Sequence, residues 1–352
     1  MPALQMSANG PLAVHDSGVP EGVETYTTLF IIHGYAWHSG VFARVLPHAA
    51  QYRTRIVLVN RRDYPGATPL SSLELGQLRV AKDAAPGTEV AVNDLRGFFK
   101  ERAREIYQLL GRFIVSERIE KNSVVVLGWS LGVAFLSALL TYAPAFSLSE
   151  VNLNVAGYIK YVVAYDASQR SMGQPPPDIA YHPLQDPTSP IEKRVQQFSI
   201  WVSGYFRHPD IRASNLEMHD YQAAPRPTAL TMSEDEMASA MYAPAGAEGG
   251  SDEMLTATIK HGVFDELRVA ALLPAETSKR NEWARIRWRH IWGDRSAWGV
   301  PYSAVLLERE LEEAKKAGKY TRPVENVCFE GANHFGHWDT PDRFMRIVLE
   351  DK

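Results

Sequence analysis

A chain of 352 residues with 45% hydrophobic content can bury a substantial core, and it fits one α/β unit that carries an insertion. A formal net charge of -4 argues against nucleic acid or an anionic membrane as the main partner. One cysteine, Cys328, precludes an intramolecular disulfide, and no apolar run reaches the ~18 residues of a membrane span.

Residues 1–10 lack a charged-then-apolar leader pattern, so a reducing, cytoplasmic setting is expected. Residues 11–18 read as an edge strand ending in a turn, and 26–32 as a stronger strand ending at His33-Gly34. Residues 41–50 have helical spacing, and 55–60 form a buried strand followed by the turn cluster from Arg61 to Gly66. From 70 to 86 the chain looks loop-like with one short helix; 93–115 is a long amphipathic helix.

Residues 123–140 organise the rest. Val124 to Leu127 is a short β-branched run, suited to a strand buried on both faces, and an apolar helical pattern follows it. Between them stands Gly128-Trp129-Ser130-Leu131-Gly132. A strand turning sharply into a helix holds the central Ser in a strained conformation, where side chains at the flanking positions would collide with neighbours. The hydroxyl then stands at a helix N-terminus, which favours developing negative charge.

Alternation continues with a strand over 158–165 that ends at Asp166, then stops. Residues 167–283 hold helical patterns, Pro175-Pro176-Pro177 and a Gly/Ala-rich stretch from 243 to 250. A strand over 286–292, a helix over 303–317, a strand over 326–330 and a closing helix over 341–349 follow. Alternating strands and helices imply an α/β fold, a mostly parallel, doubly wound sheet with a mainly helical cap inserted between two strands.

Through His33-Gly34, the Ser130 elbow and Gly331-Ala332-Asn333-His334, the chain resembles the α/β-hydrolase superfamily, most closely a capped, fungal-type branch of the α/β-hydrolase-1 group. The resemblance covers residues 11–166 and 284–350 and leaves the cap unmatched. It implies a Ser-acid-His relay, with Ser130 as nucleophile and His334 as base, His337 being the alternative. The usual acid position after the penultimate strand holds Ser296. Two carboxylates remain, Asp166 at the end of the strand after the nucleophile helix and Asp294 directly after Gly293, and Asp166 is favoured. The same resemblance implies an oxyanion hole from the backbone N–H groups of Leu131 and Tyr35, with Trp37 and Trp129 at the pocket base. The Arg61-Arg62-Asp63 turn reads as structural, with a buried ion pair.

The cap region holds Met172, Met218, Met232, Met237, Met241 and Met254, with Trp201, Tyr205, Phe206, Tyr221 and Tyr242. Some of these should face the cleft, which suggests a small-molecule, medium-sized apolar substrate without formal charge. No metal-ligand spacing is visible, so cofactor-free chemistry is expected. The leading expectation is a hydrolase of an ester or lactone. The same groups could run a lactone-forming or lactone-opening cyclase, or an acyltransferase, of specialised metabolism. A ligand receptor on a hydrolase scaffold is a further option. A cofactor-free dioxygenase would flank its Ser with His, whereas Trp129 and Leu131 stand here; epoxide-opening relatives place Asp at the elbow. Oligomeric state is left open.

Overall fold

Runs rich in Val, Ile and Leu become the strands of one eight-stranded sheet in the computed structural model, which describes residues 6–275 and 281–350. The strands are β1 (Met6–Asn9), β2 (Leu12–Asp16), β3 (Thr27–Ile32), β4 (Thr54–Asn60), β5 (Val124–Trp129), β6 (Ile159–Tyr165), β7 (Arg287–Gly293) and β8 (Val324–Phe329). Their order is β1-β2-β4-β3-β5-β6-β7-β8. The first two strands are antiparallel to each other, and β2 is antiparallel to β4; β3 to β8 are all parallel. The edge strand read over 11–18 is thus one arm of a hairpin whose other arm, β1, was not foreseen.

Two-residue periodicity explains why both faces are covered. Phe30, Ile32, Val57, Val59, Val124 and Val126 point into one apolar cluster. Leu29, Ile31, Ile56, Leu58, Val125 and Leu127 point into the other. Six buried residues make up β5, as expected for a central parallel strand.

The helices before and after β5 are α1 (Ser72–Asp83), α2 (Glu89–Ser116) and α3 (Gly132–Tyr142). The 70–86 stretch is more regular than expected. Ser71 Oγ accepts from Glu74 N while Glu74 Oε2 accepts from Ser71 N at 2.8 Å, a capping box that starts a 12-residue helix. The helical spacing over 41–50 belongs to a 3-10 segment, Ser39–His48; Pro47 inside it has no N–H to give.

No strand interrupts the described residues between β6 and β7. Here lie α4 (Ile191–Val202), α5 (Glu234–Ala240), α6 (Ala243–Gly246), α7 (Met254–Lys260), α8 (Val263–Leu272) and α9 (Glu282–Arg285). The α8 residues Phe264 and Leu267 join the cluster of α2 and α3, with Phe264 against Phe99 at 5.6 Å between ring centroids. The fold closes with α10 (Gly299–Lys316), α11 (Gly336–Asp339) and α12 (Pro341–Leu349). Among the described residues no helix is long and apolar enough to cross a membrane.

Candidate active site

The turn from β5 to α3 has the geometry its sequence demands. Ser130 adopts φ 54°, a left-handed conformation costing a non-glycine residue about 1–3 kcal/mol, and its N–H donates to Tyr165 O at 2.9 Å. A Cβ at Gly128 would lie 2.5 Å from Gly132 O, and one at Gly132 would lie 2.3 Å from Ile32 O. Both contacts are with backbone, which cannot swing aside. Gly132→Ala is therefore expected to destabilise the protein by about 1–3 kcal/mol. Urea unfolding with an unchanged midpoint would show that the elbow has more room than these contacts allow.

Asp166, at the C-terminal end of β6, is fully buried. Its Oδ1 accepts from Gly293 N at 2.7 Å, and its Oδ2 accepts from Ser296 Oγ at 2.8 Å and faces His334 Nδ1 at 2.5 Å. An imidazole that gives its Nδ1 proton to a carboxylate keeps Nε2 unprotonated and able to accept one. Asp294 lies elsewhere: its Oδ1 accepts from Gly331 N at 2.6 Å, bracing the turn before His334. His337 is also away from this chemistry. It is buried, stacked on Phe42 with centroids 4.2 Å apart, and burial, then the neighbouring His334, holds its pKa well below the usual value.

Ser296 is the residue whose importance the sequence hid. Its position looked like a lost acid, yet its hydroxyl donates to Asp166, the carboxylate that faces His334. His208 holds it from behind, donating from Nε2 to Ser296 O at 2.8 Å while Nδ1 accepts from Glu217 N. Asn333 likewise ties the His334 turn to the inserted segment, donating from Nδ2 to Ser203 O at 2.7 Å and to Thr228 Oγ1 at 2.8 Å.

The loop after β3 faces the elbow. A Cβ on Gly34 would come within 3.0 Å of Ser130 Cβ. Among the described residues the N–H groups of Leu131 and Tyr35 have no hydrogen-bond acceptor. His33 Nδ1 donates to Gly34 O at 3.0 Å and Nε2 accepts from Arg61 N at 3.1 Å, so one neutral tautomer is fixed. Burial, and then the Arg61 charge, keeps His33 neutral.

Arg61 does take part in a buried ion pair, but its partner is distant in sequence. Its Nη2 lies 2.9 Å from Asp252 Oδ1 and also donates to Gly34 O at 2.9 Å. Asp252 Oδ2 accepts from Tyr64 Oη at 2.5 Å and from Ala36 N at 3.1 Å. The inserted segment thus fixes the Gly34–Ala36 loop through one carboxylate. Arg61→Met should cost about 3–5 kcal/mol, because Asp252 stays buried without its counter-charge. A denaturant midpoint close to that of the parent would contradict this.

Ser130, Leu131, Tyr35 and His334 share one cavity, about 610 Å³ of atom-free space including its mouth. Phe198, Trp201 and Leu255 come to it from the inserted segment, and Trp298 from the N-terminal end of α10. Trp37 and Trp129 do not line it. Trp129 is buried beneath the His334 turn and donates from Nε1 to His334 O at 3.1 Å. Trp37 packs edge-on against Phe335 at 4.9 Å. Both are anchors for the turn, and their ring faces are spent on the core. The methionines are also absent from the lining; Met172 and Met254 belong to the main cluster, and Met218 to the other. Of the aromatic residues expected there, Tyr35 lines the cavity, and of those named in the inserted segment Trp201 reaches it.

Among the described residues no three His, Cys, Asp or Glu side chains are grouped to hold a metal ion. Burial, then the Asp294 charge, pushes the Cys328 thiol up to about 12, which suits a packing role.

The family model described as "Alpha/beta hydrolase family" matches residues 29–347. No curated protein matches the chain. Among solved structures, a point mutant of VrEH2 in complex with SNO is similar at 12% identity and a TM-score of 0.52, covering 99% of this chain and 98% of that one. A point mutant of epoxide hydrolase from Solanum tuberosum is similar at 16% identity and a TM-score of 0.49, covering 98% and 97%. The peroxisomal alpha-beta-hydrolase Lpx1 from Saccharomyces cerevisiae is similar at 13% identity and a TM-score of 0.49, covering 96% and 80%.

Proposed function

The chain belongs to the alpha/beta hydrolase family, and from that premise we propose that it is a serine-nucleophile hydrolase of an ester or lactone. Ser130 Oγ attacks the acyl carbon while His334 Nε2 takes the hydroxyl proton. Asp166 holds Nδ1–H and stabilises the imidazolium that forms. The N–H groups of Leu131 and Tyr35 receive the oxyanion. The C–O bond to the alcohol then breaks, and the alcohol leaves with the proton from His334. Water, deprotonated by the same Nε2, releases the acid and restores the Ser130 hydroxyl. The observation that carries this reading is the 2.5 Å contact between Asp166 and His334, with His334 and Ser130 lining one cavity. No hydrogen bond joins Ser130 to His334 in this arrangement; such bonds commonly tighten only in the Michaelis complex.

Residues 167–283 act as a cap in this proposal. The walls supplied by Phe198, Trp201 and Leu255 limit water around an acyl-enzyme. That enclosure favours a second reading, capture of the acyl group by a hydroxyl of the substrate itself, which closes a lactone. A panel of 4-nitrophenyl esters and aryl lactones, with and without a free carboxylate, tests the main reading. The expected result is a burst of nitrophenol equal to the enzyme concentration, followed by slower turnover. Cleavage that survives unchanged in Ser130→Ala, or no cleavage across the panel, would count against it.

A further inference from the structure

Arg170, half-buried, is unlike the buried arginines among the described residues, of which Arg289 pairs with Glu325. Arg55 pairs with Asp16, Arg61 with Asp252, Arg102 with Glu74 and Arg268 with Asp265. Arg322, which has no carboxylate, is enclosed by the carbonyls of Ala271, Trp283 and Ile286. Arg170 has neither arrangement. Among the described residues its hydrogen bond runs from Nη1 to Gln185 Oε1 at 3.0 Å, and its Nε, like those of Arg61 and Arg102, is buried without a partner, but no carboxylate meets the rest of its guanidinium. The carboxylates that line the adjoining cleft do not pair with it: Asp265 is taken by Arg268, and Asp178 forms no ion pair among the described residues. Burial without a counter-charge lowers the Arg170 pKa, the mark of a cation whose folded surroundings do not compensate it.

Its location gives that cation a use. Arg170 follows Asp166 by four residues and lines both the Ser130 cavity and a neighbouring cleft of about 1200 Å³. His182 lines the same two spaces. Its Nδ1 accepts from Leu184 N at 3.3 Å, so the ring proton lies on Nε2. Burial, and then the Arg170 charge, keeps the ring neutral. Gln169, on the same wall, has its Oε1 buried without a partner. A half-buried guanidinium without a counter-charge is stabilised by an anion beside it, and the space next to it is where substrate would lie.

We propose that Arg170, with the His182 Nε2–H beside it, is the seat of a carboxylate on the substrate, so that the molecule cleaved at Ser130 carries a free acid group besides its ester or lactone. This rests on reading the Ser130 cavity as the substrate site, and it replaces the expectation of an uncharged substrate. The aromatic walls remain, and an acid-bearing aryl or alicyclic compound satisfies both features.

Titration calorimetry separates this from the hydrolase reading, because it needs no turnover. Arylalkanoic acids from phenylacetate to 5-phenylvalerate, and the matching amides, are titrated into the Ser130→Ala protein. At least one acid is expected to bind roughly 10-fold or more tightly than its amide, as for a hydrogen-bonded charge. Arg170→Gln in the same background should abolish the preference, and Arg170→Lys should keep part of it. Equal binding of acids and amides, no binding of either, or a preference that survives Arg170→Gln overturns the proposal. If the Gln variant fails to fold, the acid–amide comparison in the parent background and the Lys variant decide. Acid preference in a protein that cleaves no ester upholds the Arg170 seat and overturns only the chemistry assigned to Ser130.

Discussion

Ser130→Ala is expected to lower kcat for ester cleavage by about 10³-fold or more while leaving the unfolding midpoint close to that of the parent. The two halves of this result have separate causes. The hydroxyl is partly exposed in the cavity and has no hydrogen bond among the described residues, so its removal takes away no packing or pairing that holds the fold. Ala also relieves nothing at φ 54°, since the strain belongs to the backbone and a Cβ is kept. As the proposed nucleophile, by contrast, Ser130 has no ready substitute: Ser168 and Ser171 also line the cavity, but neither sits at the elbow between β5 and α3. Steady-state rates and urea melts on one preparation check both halves. A folded Ser130→Ala protein with most of its activity would remove the covalent mechanism.

The second large effect separates two carboxylates that the sequence left in competition. Asp166→Asn should reduce kcat by about 10³- to 10⁴-fold, whereas Asp294→Asn should change it by no more than a few-fold. Asp166 accepts from Gly293 N, Ser296 Oγ and the imidazole at once. An Asn there can keep its oxygen on Gly293, but its NH2 then faces His334 Nδ1 and favours the tautomer that carries its proton on Nε2. The base is lost although the shape is kept. Among the described residues Asp294 holds the backbone of Gly331, a contact that an Asn oxygen reproduces. Comparable, mild losses in both variants would mean that another group orients His334.

These contrasts show what could be read from the chain alone. The Ser130 elbow is local: a buried strand, two glycines with no room for a side chain and a helix lie within consecutive residues, so spacing reveals it. The βα alternation and the turn before His334 are local in the same sense. Even α1, passed over as a mostly loop-like stretch, carried a capping signal in Ser71 and Glu74. What stayed hidden depends on pairing across the fold. Ser296 could be seen to occupy the usual acid position, but not to donate to Asp166. Arg61 promised an ion pair, and Asp252 supplied it from within the inserted segment. Trp37 and Trp129 were sequence neighbours of site residues, yet their side chains point under the turn they support. Methionine enrichment spoke of apolar packing, and packing in the core consumed it.

The central claim is that Ser130 is a nucleophile activated by His334. Intact-protein and peptide mass spectrometry after treatment with a fluorophosphonate measures this directly. The account predicts one adduct per chain, located on Ser130, absent from Ser130→Ala and strongly slowed in His334→Ala. A folded, untreated-like spectrum for the parent protein, or an adduct on a residue other than Ser130, would contradict it.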